Sequence, residues 1–271
     1  MPDNKSTILL KYGLLPENSV TTVTCYQRNG REGGGMKKWY VRFVIALMQA
    51  MYISCAAASE SVRTQEINQC LSGERVTWGD GKDRRAISSP LKFAYNHAGA
   101  PDWFAESLVA GMVAKAASAW SQCGVRGVMV DGSSREKQGV IRVQWSQKDS
   151  LGNFGLANLG MRTLSLGPGP FALLKTRNPA YDARETLQMV ISHEMGHFYG
   201  LMAHSRRCVD VLSYYDDGKG GTCYSRDPSQ VRSVKEYRHV LPTACDIDRC
   251  RATNGLPPLL DGRLPERYLS Q

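Results

Sequence analysis

The stretch of this chain with the clearest chemical potential contains three of its five histidines, at positions 193, 197 and 204. On a helix, a spacing of four residues places His193 and His197 on one face, one turn apart, so that both imidazoles can bind one metal ion. Glu194 points about 100° away from His193 around the helix axis, which is a poor direction for a third ligand. Its carboxylate is better placed to act as a base beside a metal-bound water.

Two residues beyond the helix extend this pattern. His-Glu-x-x-His on a helix is the signature of zinc-dependent proteases. Gly200 lets the chain leave the helix through a left-handed turn, and His204 returns from beyond that turn. The alternative is an ordinary helix with two surface histidines and an acid. That alternative does not account for the glycine and the third histidine that follow. The sequence therefore predicts one catalytic Zn²⁺ ion bound by His193 and His197, with His204 as the favoured third ligand.

The run from His193 to Gly200, together with His204, resembles the pattern H-E-x-x-H-x-x-G-x-x-H of the metzincin metalloproteases. In that pattern the third histidine comes ten residues after the first, whereas here Ala203 occupies that position and His204 comes one residue later. Two interpretations remain open. Either the loop bulges by one residue and His204 is the third ligand, which we favour, or the third ligand is Asp210.

A second motif, residues 209–215, follows the histidines and resembles the methionine turn of the same family. Leu212 occupies the position of the methionine, which in the family packs beneath the zinc site without binding the ion. The resemblance implies that Tyr214 lies near the zinc, where its hydroxyl would donate a hydrogen bond to the oxyanion of the tetrahedral intermediate. Tyr215 takes that role if the register is shifted by one residue. The alternative is a tyrosine with no catalytic role.

The periodicity of apolar residues predicts an α+β fold. Strands are expected at 91–95, 125–130, 140–145, 155–162 and 163–166, and helices at 103–121, from Asp182 through the histidine motif, from Asp227, and from Thr243 to Gly255. The metzincin resemblance covers residues 88–256. It implies a twisted mixed five-stranded sheet with a long helix and an active-site helix, followed by a small irregular C-terminal subdomain that ends in a helix. It also implies that residues 155–159 form the edge strand that pairs with an extended substrate.

The N-terminal part of the chain is interpreted as a targeting region. A basic stretch at 37–42, an apolar run at 43–53 and three alanines at 56–58 are typical of a secretory signal peptide over residues 36–58, and the run is too short to span a bilayer. Residues 1–35 would be an unstructured upstream extension, residues 59–88 a short leader or pro-segment, and residues 89–271 the catalytic domain. A buried amphipathic helix after a genuine tail is the alternative.

This interpretation predicts a secreted or periplasmic protein of bacterial type. Cys55 could carry the lipid anchor of a bacterial lipoprotein, but the three residues before it match that signal poorly, so soluble export is favoured. Six cysteines follow the signal, and export favours disulfide bonds among them. Fifteen pairings exist for six cysteines. Pairing by proximity in sequence joins Cys208 to Cys223 and Cys245 to Cys250, and it leaves Cys70 for Cys123.

The charge of the chain gives limited information about partners. The net charge is +9, and after residue 58 there are 27 Lys and Arg against 22 Asp and Glu, a net charge of +5. These residues are scattered, which argues against a nucleic-acid partner, since such proteins usually carry a basic stripe. The expected partner is a protein or peptide substrate, with no membrane span, and the sequence gives no indication of oligomeric state.

Two functions of different classes remain. The first is a secreted zinc endopeptidase, in which Glu194 is the general base for a zinc-bound water that attacks a peptide bond. The alternative is a secreted zinc-containing interaction protein with little or no protease activity, for which loss of the base would be the signature. Because Glu194 is present, the enzyme is favoured. A cytosolic zinc protein that keeps residues 1–58 and reduced cysteines is a third interpretation.

Overall fold

The computed structural model describes residues 61–131 and 139–265. Within these ranges the α+β prediction is confirmed. The strands are β1 (Leu91–Asn96), β2 (Gly127–Met129), β3 (Val140–Trp145), β4 (Gly155–Asn158) and β5 (Thr163–Leu166). The helices are α1 (Val62–Asn68), α2 (Glu106–Trp120), α3 (Pro168–Arg177), α4 (Ala183–Phe198), α5 (Pro228–Ser233) and α6 (Ala244–Thr253).

The five strands form one mixed sheet in the order β2-β1-β3-β5-β4. β1 pairs in parallel with β2 and with β3, and β3 pairs in parallel with β5. β4 is antiparallel to β5 and lies at the edge. All four residues of β5 are buried, as expected for a strand inside a mostly parallel sheet. The five predicted strands are confirmed, although β2 and β4 are shorter than their predicted spans.

The helices differ from the prediction in three places. The first is α1, which lies in residues 59–88, where a short leader or pro-segment and no helix was expected. α2 was expected from residue 103, but it begins at Glu106 after Ala105, whose side chain makes no capping hydrogen bond. α3 was not predicted, because the two prolines of residues 167–170 indicated an irregular segment. Those prolines lie in the first turn of α3, where proline is tolerated because its missing N–H would have no partner inside the helix.

Helix α4, which carries the histidine motif, is held in place by close packing against α2. The side chain of Trp120 at the end of α2 donates a hydrogen bond from Nε1 to the carbonyl of Ser192 at 2.8 Å. The same indole lies against Gly196, where an added Cβ would come within 2.7 Å of Trp120 Cζ2. A side chain at position 196 would therefore push the two helices apart.

Three disulfides join the described residues, and only one of the three predicted pairings is right. Cys208–Cys223 is confirmed, whereas Cys245–Cys250 and Cys70–Cys123 are replaced by Cys70–Cys245 and Cys123–Cys250. Cys245 and Cys250 lie five residues apart on α6, where the helical rise separates them by about 7.5 Å, beyond the reach of a disulfide. Each instead anchors α6 to a different part of the chain. Three disulfides are typical of proteins that fold in an oxidising compartment.

The predicted targeting region, including the signal at 36–58 and Cys55, lies outside the described residues. None of the helices that the structure describes has the length and apolar character needed to cross a membrane.

Candidate metal centre

Helix α4 brings the first two histidines and the glutamate to a buried position. Asp182 caps its N-terminus by accepting a hydrogen bond from the backbone N–H of Arg184 at 2.8 Å, as its predicted role as a helix start requires. The helix ends before Gly200, whose φ of +103° is the left-handed turn predicted from the sequence. A side chain at this glycine would clash with the backbone carbonyl of Arg84.

His204 comes back from this turn to meet His193 and His197. One ligand atom from each histidine lies within 4.8 Å of the other two, and the ring centroids are 5.2 to 5.4 Å apart. All three side chains are at least nine-tenths buried. The structure therefore brings together the three predicted ligands, and the extra residue before His204 does not prevent it.

Each imidazole uses its Nδ1 for a hydrogen bond that fixes the ring. His193 donates to the carbonyl of Val211 at 2.8 Å, and His197 donates to the carbonyl of Leu201 at 2.7 Å. His204 donates to the Asp80 carboxylate at 2.7 Å. Because these acceptors carry no proton, each Nδ1 carries one, and Nε2 is the ring nitrogen left to bind a metal.

The state of the histidines fits a metal ion. Burial, followed by the neighbouring His204 and His197, holds the pKa of His193 well below its ordinary value. Burial also lowers the pKa of His197, to about 4. Neutral imidazole is the form that binds zinc. In addition, Nε2 of His204 is buried and has no hydrogen-bond partner among the described residues. A bond from this nitrogen to a metal ion would satisfy it.

Glu194 lies beside the histidines under strand β4. Its Oε2 accepts a hydrogen bond from the backbone N–H of Ala157 at 2.8 Å. Burial raises the pKa of Glu194 to about 7, against the opposing effect of that hydrogen bond. The strand can approach because position 155 is glycine, where an added Cβ would come within 2.7 Å of Glu194 Cγ. A carboxyl group that titrates near neutrality is suited to accept and return a proton.

Tyr214 and Tyr215 have different surroundings. The hydroxyl of Tyr214 donates to Oδ2 of Asp80 at 2.9 Å, and its ring centroid lies 5.0 Å from that of His204. The hydroxyl of Tyr215 donates to Oε1 of Glu236 at 2.5 Å and accepts from the backbone of Tyr237. Of the two candidates, Tyr214 is therefore the one beside the histidines.

Asp210, the other candidate for the third ligand, is hydrogen-bonded and ion-paired to residues other than the three histidines. Its carboxylate accepts hydrogen bonds from Ser205 and Thr243, both at 2.6 Å, and forms a buried ion pair with Arg207 at 3.1 Å. It does not belong to the cluster of His193, His197 and His204.

Leu212 packs against helix α4 on the side of Gly196. The resemblance of residues 209–215 to the methionine turn predicted a position below the histidine motif. Its side chain is fully buried, and Cδ1 lies 3.1 Å from the position that a Cβ on Gly196 would take. Its carbonyl accepts the backbone N–H of Ser205 at 2.9 Å, so the residue ties the segment after His204 to the underside of α4.

Two functional residues were not predicted from the sequence: Asp80, which contacts the third histidine, and Asp83, which contacts the loop before it. They lie in residues 79–85, where the glycines and charges are typical of a loop. Asp80 contacts His204 across 124 residues of sequence, and Asp83 contacts the backbone of Met202 and Ala203. The available signal was the pair of aspartates three residues apart in a glycine-containing loop, which indicates a turn but does not identify the residues that it contacts.

No protein-family model matches the chain, and no curated protein matches it significantly. A chain of the solved structure described as "GM1 bound form of the ECX AB5 holotoxin" is 14% identical and has a TM-score of 0.38. The match covers 69% of the present chain and 91% of that chain. A likeness of this size carries no argument about fold or function.

Proposed function

We propose that the protein is an exported zinc-dependent endopeptidase of the metzincin type. The observation that carries the proposal is the convergence of three buried imidazoles beside a buried carboxyl group whose pKa is about 7. A structural zinc site is closed by four protein ligands, whereas a catalytic site keeps one position open. Three histidines therefore support a catalytic ion.

The residues that would hold the ion are His193, His197 and His204. Zn²⁺ bound by three such ligands supplies a Lewis acid, which polarises a carbonyl oxygen and lowers the pKa of a water molecule to near neutrality. The hydrogen bonds to Val211, Leu201 and Asp80 keep the three rings oriented before any ion arrives. Fixed ligands of this kind bind zinc more tightly because less is lost in ordering them.

Glu194 performs the proton transfers in this proposal. Its carboxylate accepts a proton from the water that attacks the peptide carbonyl, then passes this proton to the nitrogen of the leaving amine. A pKa of about 7 suits both steps, because the group can gain and lose the proton near neutral pH. The backbone N–H of Ala157 holds one carboxylate oxygen in place during the exchange.

Tyr214 is proposed as a hydrogen-bond donor to the developing oxyanion. Its ring lies beside His204 and lines the same pocket as Glu194. The hydroxyl would exchange its hydrogen bond with Asp80 for one with the substrate. Donors of this type typically contribute about 10²- to 10³-fold to turnover.

The surroundings of the site favour an extended peptide as substrate. A pocket beside His193 and Glu194 is lined by Phe154, Met189 and Val190, among others. A second pocket shares Met189 with the first and lies beside the N-terminal residues of α4. Strand β4 runs past Glu194 at the sheet edge, with no other described strand on its open side. An extended peptide could pair with that edge.

The family assignment rests on the resemblance of the histidine motif, supported by the site around it. Gly200 adopts the left-handed turn that the motif requires, and Leu212 packs below α4 where the family has its methionine. Leucine and methionine have similar volumes, so this replacement is expected to cost less than about 1.5 kcal/mol of stability. Export is supported by the three disulfides and by the signal-like residues 36–58.

The alternative is an interaction protein that keeps zinc without catalysis. Against it stands Glu194, which is buried at an energetic cost and has no charged partner in its described surroundings to stabilise it. A protein that needed zinc only for structure would gain stability by replacing this residue.

The test is digestion of a peptide library by the purified protein, with cleavage products identified by mass spectrometry. The proposal predicts internal cleavage that stops when a zinc chelator is added and returns when zinc is restored. Zinc bound at one ion per chain with no cleavage of any peptide would favour the interaction protein.

A further inference from the structure

The segment that was expected to be a leader or pro-segment runs along the chain beside the third histidine. Residues 76–87, which we call the strap, form backbone hydrogen bonds with residues 198–206. The four bonds are Arg206 N–H to Val76 O at 3.0 Å, Trp78 N–H to His204 O at 3.0 Å, Arg84 N–H to Gly200 O at 2.9 Å, and Ile87 N–H to Phe198 O at 3.3 Å. The strap therefore lies against the whole loop that contains the extra residue.

Asp83 of the strap satisfies the backbone of that loop. Its Oδ1 accepts the N–H groups of Met202 at 2.8 Å and Ala203 at 3.0 Å. Arg249 of α6 closes the arrangement, since it donates to both oxygens of Asp83 and to the carbonyl of Ala203. Backbone donors in a buried loop need such partners. The longer loop obtains them from the strap and from α6.

Asp80 holds His204 at two points. Oδ1 accepts the backbone N–H of His204 at 2.9 Å, and Oδ2 accepts its Nδ1 at 2.7 Å. These two bonds fix both the position of the residue and the rotation of its ring. The carboxylate is restrained in turn by the hydroxyl of Tyr214, whose ring stacks on Trp78 with centroids 5.4 Å apart. A carboxylate on Nδ1 also makes Nε2 a more basic ligand.

His204 differs from the other two histidines in this respect. His193 and His197 donate to backbone carbonyls no more than 18 residues away. The acceptor of His204 is a charged side chain 124 residues away, on a segment that is tied to α6 by the Cys70–Cys245 disulfide. The orientation of the third imidazole therefore depends on a distant part of the chain.

We infer that the strap is a permanent part of the metal centre and that Asp80 is a positioning residue for the third zinc ligand. This arrangement would let the protein use a spacing one residue longer than the metzincin pattern. The inference rests on the proposed zinc site. It also implies that residues 76–87 are not removed when the protein matures, because their loss would release His204.

Zinc affinity tests the inference, measured on the full chain by competition with a chromophoric chelator. Asp80→Asn keeps the size of the side chain but loses the charge, and we expect it to weaken zinc binding 10- to 100-fold. Asp248→Asn is the matched control, because Asp248 also accepts one backbone N–H, from Leu259, but its charged partner is Arg75 instead of a histidine. It should bind zinc within twofold of the unchanged protein.

Cobalt(II) provides a second readout that general destabilisation would not move. At a fixed, saturating concentration, the visible absorption of bound Co²⁺ should change in Asp80→Asn, since its third imidazole is misoriented, and should be unaltered in Asp248→Asn. Asp80→Glu retains the charge one methylene further out. It should fold and bind zinc with an affinity between those of Asp80→Asn and the unchanged protein.

Three outcomes would overturn the inference. Zinc affinity in Asp80→Asn within twofold of the unchanged protein would remove the positioning role, and an equal loss in Asp248→Asn would show a nonspecific effect. A zinc-loaded mature chain whose mass shows that it begins after residue 88 would show that the strap is dispensable. Failure of the unchanged protein to bind zinc is a separate result, because it would overturn the proposed function itself.

Discussion

Nδ1 of His204 lies 2.7 Å from Oδ2 of Asp80, although 124 residues separate them in sequence. This contact explains how a histidine at an unusual spacing joins the other two. The loop before it is one residue longer than the metzincin pattern, and its backbone is held by Asp83. The position of His204, the proposed third ligand, is therefore set from outside the histidine motif.

The choice between the two candidate third ligands can be tested by mutation. His204→Ala should lose tight zinc binding, because two protein ligands are too few to hold the ion. Asp210→Asn should keep it, but should lower the free energy of unfolding by about 3 kcal/mol, because Arg207 loses its closest buried partner. Zinc content and urea denaturation measure the two effects.

His97→Gln is the control for these variants, since His97 is partly exposed and its Nδ1 contacts Tyr95 instead of the zinc ligands. Zinc retained in His204→Ala and lost in Asp210→Asn would refute the three-histidine site.

Tyr214→Phe tests the donor role of the hydroxyl. We expect kcat to fall about 10²-fold with little change in KM, because the donor acts only on the oxyanion of the transition state. Tyr215→Phe is the control. Its hydroxyl bonds to Glu236 and Tyr237, so that variant should lose stability and keep kcat. If kcat in Tyr214→Phe equals that of the unchanged protein, the hydroxyl has no part in the proposed catalysis.

Burial of Glu194 lowers the free energy of unfolding of the metal-free protein by an amount that depends on pH. Its pKa is about 7 in the folded protein, above the ordinary value of 4.5. Between these values the folded state keeps a proton that the unfolded state has lost, so stability falls as pH rises through this window. Glu194→Gln removes the penalty. It should be more stable than the unchanged protein by about 3 kcal/mol at pH 8, and equally stable at pH 4.

Chemical denaturation of both metal-free proteins at the two pH values measures this difference. A stability difference that does not vary with pH would show that Glu194 is not held in the folded state with a raised pKa.

The disulfides can be verified by peptide mapping without reduction. Digestion should yield one fragment that joins the peptides of Cys70 and Cys245, and another that joins those of Cys123 and Cys250. Reduction should separate each pair. A fragment that links Cys70 to Cys123 would contradict the anchoring of the strap to α6.

The sequence predicted the parts of the molecule that depend on local pattern. The spacing of His193 and His197, the left-handed Gly200 and the caps at Asp182 and Thr243 follow from helix geometry, and the structure contains each of them. The alternating and β-branched runs predicted all five strands for the same reason.

Contacts between distant segments were not predictable from pattern. Asp80 occurs in a glycine-rich loop, and nothing in that loop indicates that its carboxylate reaches His204. The pairing of Cys70 with Cys245 was missed for the same reason. Proximity in sequence favoured Cys250 as the partner of Cys245, whereas Cys70 is 175 residues away. Helix α3 was missed because its prolines were interpreted as a break instead of a first turn.

The central claim is that three histidines hold a zinc ion while Glu194 moves the proton in peptide hydrolysis. It is tested most directly by measuring zinc content and turnover on the same preparations of the unchanged protein and Glu194→Gln, with a peptide that the unchanged protein cleaves. The account predicts about one zinc per chain in both proteins and a loss of turnover of about 10²-fold or more in Glu194→Gln, the range for a lost general base. Equal turnover in the two proteins, with equal zinc content, would contradict it.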